Sequence, residues 1–135
     1  MSPRKQRSLP ALLLLLTLLL TGCNSINEVK LDIGDSGSQV EVKKGQVLAI
    51  SLESNPTTGY RWEVMKINET MLKQIGDPEF KASQSGEVVG AGGLEVLRFE
   101  AVGVGTTYLE LAYRRFWEED VTPLLLYTLS IVVGE

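Results

Sequence analysis

Histidine is absent from all 135 residues. No Ser-His-Asp or Cys-His nucleophilic arrangement can therefore form, and no histidine-bearing metal centre. Cysteine occurs once, at Cys23, which rules out an intramolecular disulfide framework. Catalysis would have to rest on carboxylates, lysine, tyrosine or hydroxyls, so an enzyme is not expected, nor a metal or other cofactor. Positive charge is also scarce. The 13 Lys and Arg face 17 Asp and Glu and form no basic stripe, which argues against nucleic acid as a partner. Apart from residues 9–20, almost all leucine, the chain has no long apolar run. A membrane span needs about 20 apolar residues, so that stretch is too short to cross a bilayer comfortably.

What surrounds the leucine run gives it another meaning. Arg4, Lys5 and Arg7 precede it and Leu20-Thr21-Gly22-Cys23 follows. A basic start, an apolar centre and small residues before a cut are the parts of a secretory signal. The ending resembles the lipobox of bacterial lipoproteins, which implies removal of residues 1–22 and lipidation of Cys23 as the new N-terminus. Several acyl chains at about 0.8 kcal/mol per buried CH₂ would anchor the protein to a membrane. The expected location is then the bacterial cell envelope, on the outer membrane or periplasmic face if there are two membranes. An ordinary signal peptide with an incidental thiol is the blander alternative. Three of the basic residues and none of the acidic ones lie in residues 1–22, which leaves a balance of −7. Residues 23–28 read as a tether, and residues 29–135 suffice for one small domain.

Within that domain the hydrophobic period is two almost throughout. Val29, Leu31 and Ile33 alternate with Lys30 and Asp32; Val40 and Val42 form a brief edge strand; Leu48, Ile50 and Leu52 share a face. Further strands are expected near residues 60–65, 79–84, 94–102, 107–113 and 124–133. Residues 67–75 carry a helical hint, because Ile67, Met71, Leu72 and Ile75 fall at spacings of three and four and Asn68 can cap a turn. About eight short strands joined by glycine-bearing turns predict an all-β, immunoglobulin-like antiparallel sandwich with Greek-key connections.

Strand parity brings three connections to one end. Numbered from the strand at residues 46–52, the odd connections hold Asn55-Pro56-Thr57-Thr58-Gly59, Gly90-Ala91-Gly92-Gly93, and residues 114–120 with Arg115, Phe116 and Trp117. An extra strand between 66 and 79 would break this count. Each connection has a bland reading. Asn-Pro-x-x-Gly is common turn chemistry. The glycines are no phosphate cradle, since no helix pattern follows them. For Arg and Trp117 it is a stack of one on the other within the domain. Yet Arg, Phe and Trp are also residue types that recur at interface hot spots, and Pro56 and Gly59 hold a turn still for presentation.

Taken together, Asn55-Pro56-Thr57-Thr58-Gly59-Tyr60-x-Trp62, Gly90-Ala91-Gly92-Gly93 and Arg115-x-Trp117 resemble, in order and approximate spacing, the chagasin-like inhibitors of papain-type cysteine proteases. The resemblance spans roughly residues 29–133. It implies a monomeric, reversible inhibitor whose partner is a papain-like protease. It also implies that Thr57 and Thr58 lie over the catalytic cysteine, while Gly90 to Gly93 and the Arg115 to Trp117 loop grip either side. One position departs from the pattern: the family's third loop usually reads Arg-Pro-Trp or Arg-Pro-Phe, and here Phe116 holds the middle place. The competing reading is a non-inhibitory immunoglobulin-like envelope lipoprotein that binds a protein or glycan.

Overall fold

The computed structural model describes Pro3 and residues 27–83 and 92–135. The leader, Cys23, Gly90 and Ala91 lie outside the described residues. Nine strands are present among those described: β1 (Glu28–Leu31), β2 (Ser38–Lys43), β3 (Val47–Ser54), β4 (Arg61–Lys66), β5 (Leu72–Gln74), β6 (Glu79–Ala82), β7 (Gly93–Ala101), β8 (Gly105–Arg114) and β9 (Leu125–Gly134). They form two sheets. One runs β1-β3-β7-β5, with β6 also on β7; the other runs β2-β9-β8-β4.

The alternation seen in the sequence is what closes the sandwich. Leu48, Ile50 and Leu52 of β3, with Leu97 and Phe99 of β7, face Leu109 and Leu111 of β8 and Tyr127, Leu129 and Ile131 of β9, all buried. Burying each such side chain contributes about 1.5–3 kcal/mol, so the pattern of period two commits every strand to one face.

Three expectations are revised. First, the sheets are mixed, because β1 pairs with β3 and β2 with β9 in parallel. The chain rises in β1, falls in β2 on the opposite sheet and rises again in β3, so β1 and β3 run alike when they meet. Alternation reports which face is buried and says nothing of the neighbour's direction. Second, residues 67–75 hold no helix. Asn68 does cap a turn, its side chain accepting from the Thr70 N–H at 3.1 Å, but the chain then enters β5, whose Leu72 is buried against the sheet. Tertiary pairing has overridden a weak local period. Third, β5 is the extra strand that threatened the parity count. It does no harm, because β5 and β6 both lie antiparallel along β7, Leu72 opposite Ala101 and Glu79 opposite Val96. They act as one strand interrupted at residues 75–78.

Candidate functional site

The ladders fix where the three connections emerge. Ser54, the last residue of β3, lies opposite Gly93, the first of β7, and Arg61 at the start of β4 lies opposite Arg114 at the end of β8. The β3–β4, β6–β7 and β8–β9 connections therefore share one pole. Asn55, Pro56, Thr57, Thr58, Gly59, Tyr60, Gly92, Gly93, Arg115, Phe116 and Trp117 are all brought there.

The first loop is a single 3-10 turn over Pro56–Thr58. Asn55 caps it, its side-chain oxygen accepting from the Thr57 hydroxyl at 2.6 Å and the Thr57 N–H at 3.3 Å. The Thr58 hydroxyl donates to the Asn55 carbonyl at 2.6 Å. Both threonine hydroxyls are thus engaged within the turn, although the residues themselves are exposed. Gly59 closes the turn at φ +81°, a conformation that costs a side-chain-bearing residue about 1–3 kcal/mol. A Cβ there would also lie 2.3 Å from the Trp117 ring. Third-loop packing and first-loop backbone geometry therefore both demand glycine at this position.

Beneath the turn runs a stacked column. The Arg115 guanidinium sits 4.4 Å from the Tyr60 ring centroid; Tyr60 packs on Tyr113 and Tyr113 on Trp62, each at 5.2 Å. Trp62 is buried and donates its indole N–H to the Glu53 carbonyl at 3.0 Å, and the Tyr113 hydroxyl accepts from the Asn55 N–H at 2.9 Å. The column carries rigidity from the core to the loop. Arg115 then ties the third loop to the first, donating its Nε–H to the Thr58 carbonyl at 2.9 Å. The expected contact of Arg115 with Trp117 is present at 5.9 Å, but Tyr60 is the nearer ring partner.

The third loop, with Phe116 where the family usually has proline, is braced by its neighbours. The Glu118 N–H donates to the Arg115 carbonyl at 3.1 Å, and the two side chains pair at 3.2 Å. Phe116 meets Trp117 edge-to-face at 4.9 Å, and both rings stay exposed, at 68% and 56%. The second loop is placed by its glycines. A Cβ at Gly93 would lie 2.2 Å from the Lys81 carbonyl, so β6 can pair this closely only because none is there.

Two bracing residues escaped the sequence reading. Tyr113 falls within an expected strand, and nothing local in the sequence marks its hydroxyl as a loop support. Glu95 had a signal that went unread: it shares the inward phase of Leu97, Phe99 and Ala101. It is buried, and its carboxylate accepts from the Trp62 N–H at 3.4 Å, across from the other sheet.

The fold and this pole define a class, a β-sandwich presenting braced loops as a rigid binding edge. The chain belongs to the family described as Chagasin family peptidase inhibitor I42, which it matches over residues 41–131. It is 29% identical over 94 residues to Amoebiasin-2 of Entamoeba histolytica, covering 70% of this chain and 76% of that protein. To Chagasin of Trypanosoma cruzi it is 31% identical over 87 residues, covering 61% and 76%. Among solved structures, the cysteine protease inhibitor EhICP2 from Entamoeba histolytica superposes with a TM-score of 0.68 at 23% identity, over 79% of this chain and 95% of that one.

Proposed function

We propose that this chain is a reversible protein inhibitor of papain-like cysteine proteases, held at the bacterial envelope by lipid on Cys23, whose three loops occlude the active-site cleft. The observation that carries the reading is the bond from Arg115 to the Thr58 carbonyl, which locks two of the loops into one edge. In this reading Asn55 to Tyr60 enter the cleft with Thr57 and Thr58 nearest the catalytic thiol, Gly90 to Gly93 flank one side, and Arg115, Phe116 and Trp117 flank the other. Family membership supports the target class. The lipobox-like Leu20-Thr21-Gly22-Cys23 supports the anchor.

The physical logic is one of refusal to react. A cleavable peptide must bring its carbonyl carbon within about 3–3.5 Å of the nucleophile in an aligned, extended pose. A 3-10 turn closed by left-handed Gly59 holds the main chain out of that pose. Because the first and third loops are braced by their own hydrogen bonds, little conformational entropy of theirs is lost on docking. Titration of residues 24–135 against an active papain-type enzyme tests the proposal. Stoichiometric, reversible loss of activity is expected, and a folded protein that leaves the enzyme uninhibited at micromolar concentration would refute it.

A further inference from the structure

The strand that follows the third loop carries a feature that the three loops do not explain. Leu124, Leu125 and Leu126 are consecutive, large and apolar, yet 60%, 47% and 53% exposed. Strand pairing shows why they are uncovered. The parallel partner β2 joins β9 only from Leu129 onward, so the first residues of β9 run past it toward the loop pole with β8 alone beside them. Leu125 lies opposite Tyr113 and lines, with Asn55, Gly92 and Gly93, a groove that opens between the first two loops. Leu126 lies opposite Ala112, next along the strand from the buried Tyr127, and so on the outer face of its sheet.

These leucines are continuous with the proposed inhibitory edge. Phe116 and Trp117 stand at one end of the β8–β9 connection and Leu124 at the other, where its N–H donates to the Tyr113 carbonyl at 3.0 Å. A strand end gains nothing from leaving half-exposed leucines on both of its faces, Leu125 toward the groove and Leu126 on the outer side, and exposed apolar surface of this kind marks a contact site. Glu118, Glu119 and Asp120 lie in the same connection, which disfavours an anionic bilayer as the cover.

Resting on the inhibitor reading, we propose that Leu124, Leu125 and Leu126 form a fourth contact, packing against an apolar surface of the target protease beside its cleft. They then act as specificity determinants. Papain-type enzymes that share the cleft but carry a polar or charged surface at that place are held less tightly.

The test compares inhibition constants for the wild type with Leu124→Ser, Leu125→Ser and Leu126→Ser, with a Leu126→Met variant as the conservative control. Each serine variant is expected to weaken inhibition about tenfold, mostly through faster dissociation, with melting temperature unchanged and the methionine variant close to wild type. Equal inhibition by wild type and serine variants would overturn the fourth contact and leave the three-loop reading standing. Failure of the wild type itself to inhibit would overturn both. Sedimentation and vesicle-binding measurements on the same variants identify the other occupants. Loss of self-association or of vesicle binding with inhibition intact would assign the leucines to a second copy of the chain or to lipid, and would also overturn the proposal.

Discussion

Gly59 carries two constraints in one position, a left-handed φ of +81° and the Trp117 ring where a Cβ would stand. Gly59→Ala is expected to cost about 1–3 kcal/mol of stability from backbone strain and to weaken inhibition by displacing the third loop. Combining it with Trp117→Ala should recover part of the stability loss, because the contact is then gone while the φ penalty remains. A double-mutant cycle by thermal unfolding reads this directly, and strict additivity would deny the contact. Tyr127 is a different case. Its ring is buried, its hydroxyl has no hydrogen-bond partner among the described residues, and desolvation, with Asp35 and Asp32 adding, raises the phenol well above its usual 10.0. Below that usual value the phenol is neutral in both states and its share of stability is complete. As pH rises past it, the unfolded chain ionises first and stability falls until the folded phenol also titrates. Tyr127→Phe removes both the orphan hydroxyl and this slope. The variant is therefore expected to melt no lower than wild type at neutral pH, and to lose less stability in melts carried above pH ~10.

At the scale of elements, the site is a set of connections held by strands that are themselves fixed by packing. The third loop depends on Arg115, whose planar guanidinium donates to the Thr58 carbonyl while lying on Tyr60. Lysine cannot reproduce that fork and stack. Arg115→Lys is expected to weaken inhibition by about 1–2 kcal/mol, chiefly by slowing productive docking; an unchanged inhibition constant would show that the inter-loop tie is idle. Much of this arrangement was legible in the sequence, because alternation of Leu48, Ile50 and Leu52 or of Leu97, Phe99 and Ala101 fixes strand phase, and phase with chain reversal fixes which loops share a pole. Partner direction was not legible, so the parallel edges β1 and β2 were missed. Nor was the path of residues 67–75, where pairing with β7 decided the matter. Tyr113 and Glu95 act on the loops through space, at long sequence separation, and only the folded chain brings them there.

The whole molecule has a polarity that bears on tethering. Glu28 opens β1 beside Val47 at the start of β3, whereas the loops leave the opposite end of β3 at Ser54. Eight residues of strand separate the two poles, or about 26 Å, while residues 23–27 reach at most about 18 Å when fully extended. If Cys23 carries the proposed lipid, the loops would point away from the membrane. The vesicle-tethered protein is expected to inhibit a soluble papain-type enzyme as well as the untethered domain does, and a lipid grafted instead at Glu119 should abolish inhibition. If tethering through Cys23 were itself inhibitory to function, this orientation would be wrong. The proposed inhibition consists in loops that physically cover a protease's catalytic cysteine without being cut. Its most direct measurement is the rate at which a small alkylating reagent modifies that thiol as the inhibitor is titrated in, with the inhibitor's intact mass followed in the same samples. Protection that rises in step with inhibition, together with an uncleaved chain across Thr57 and Thr58, is the predicted result. Inhibition with the thiol still freely alkylated, or progressive cleavage within the first loop, would contradict it.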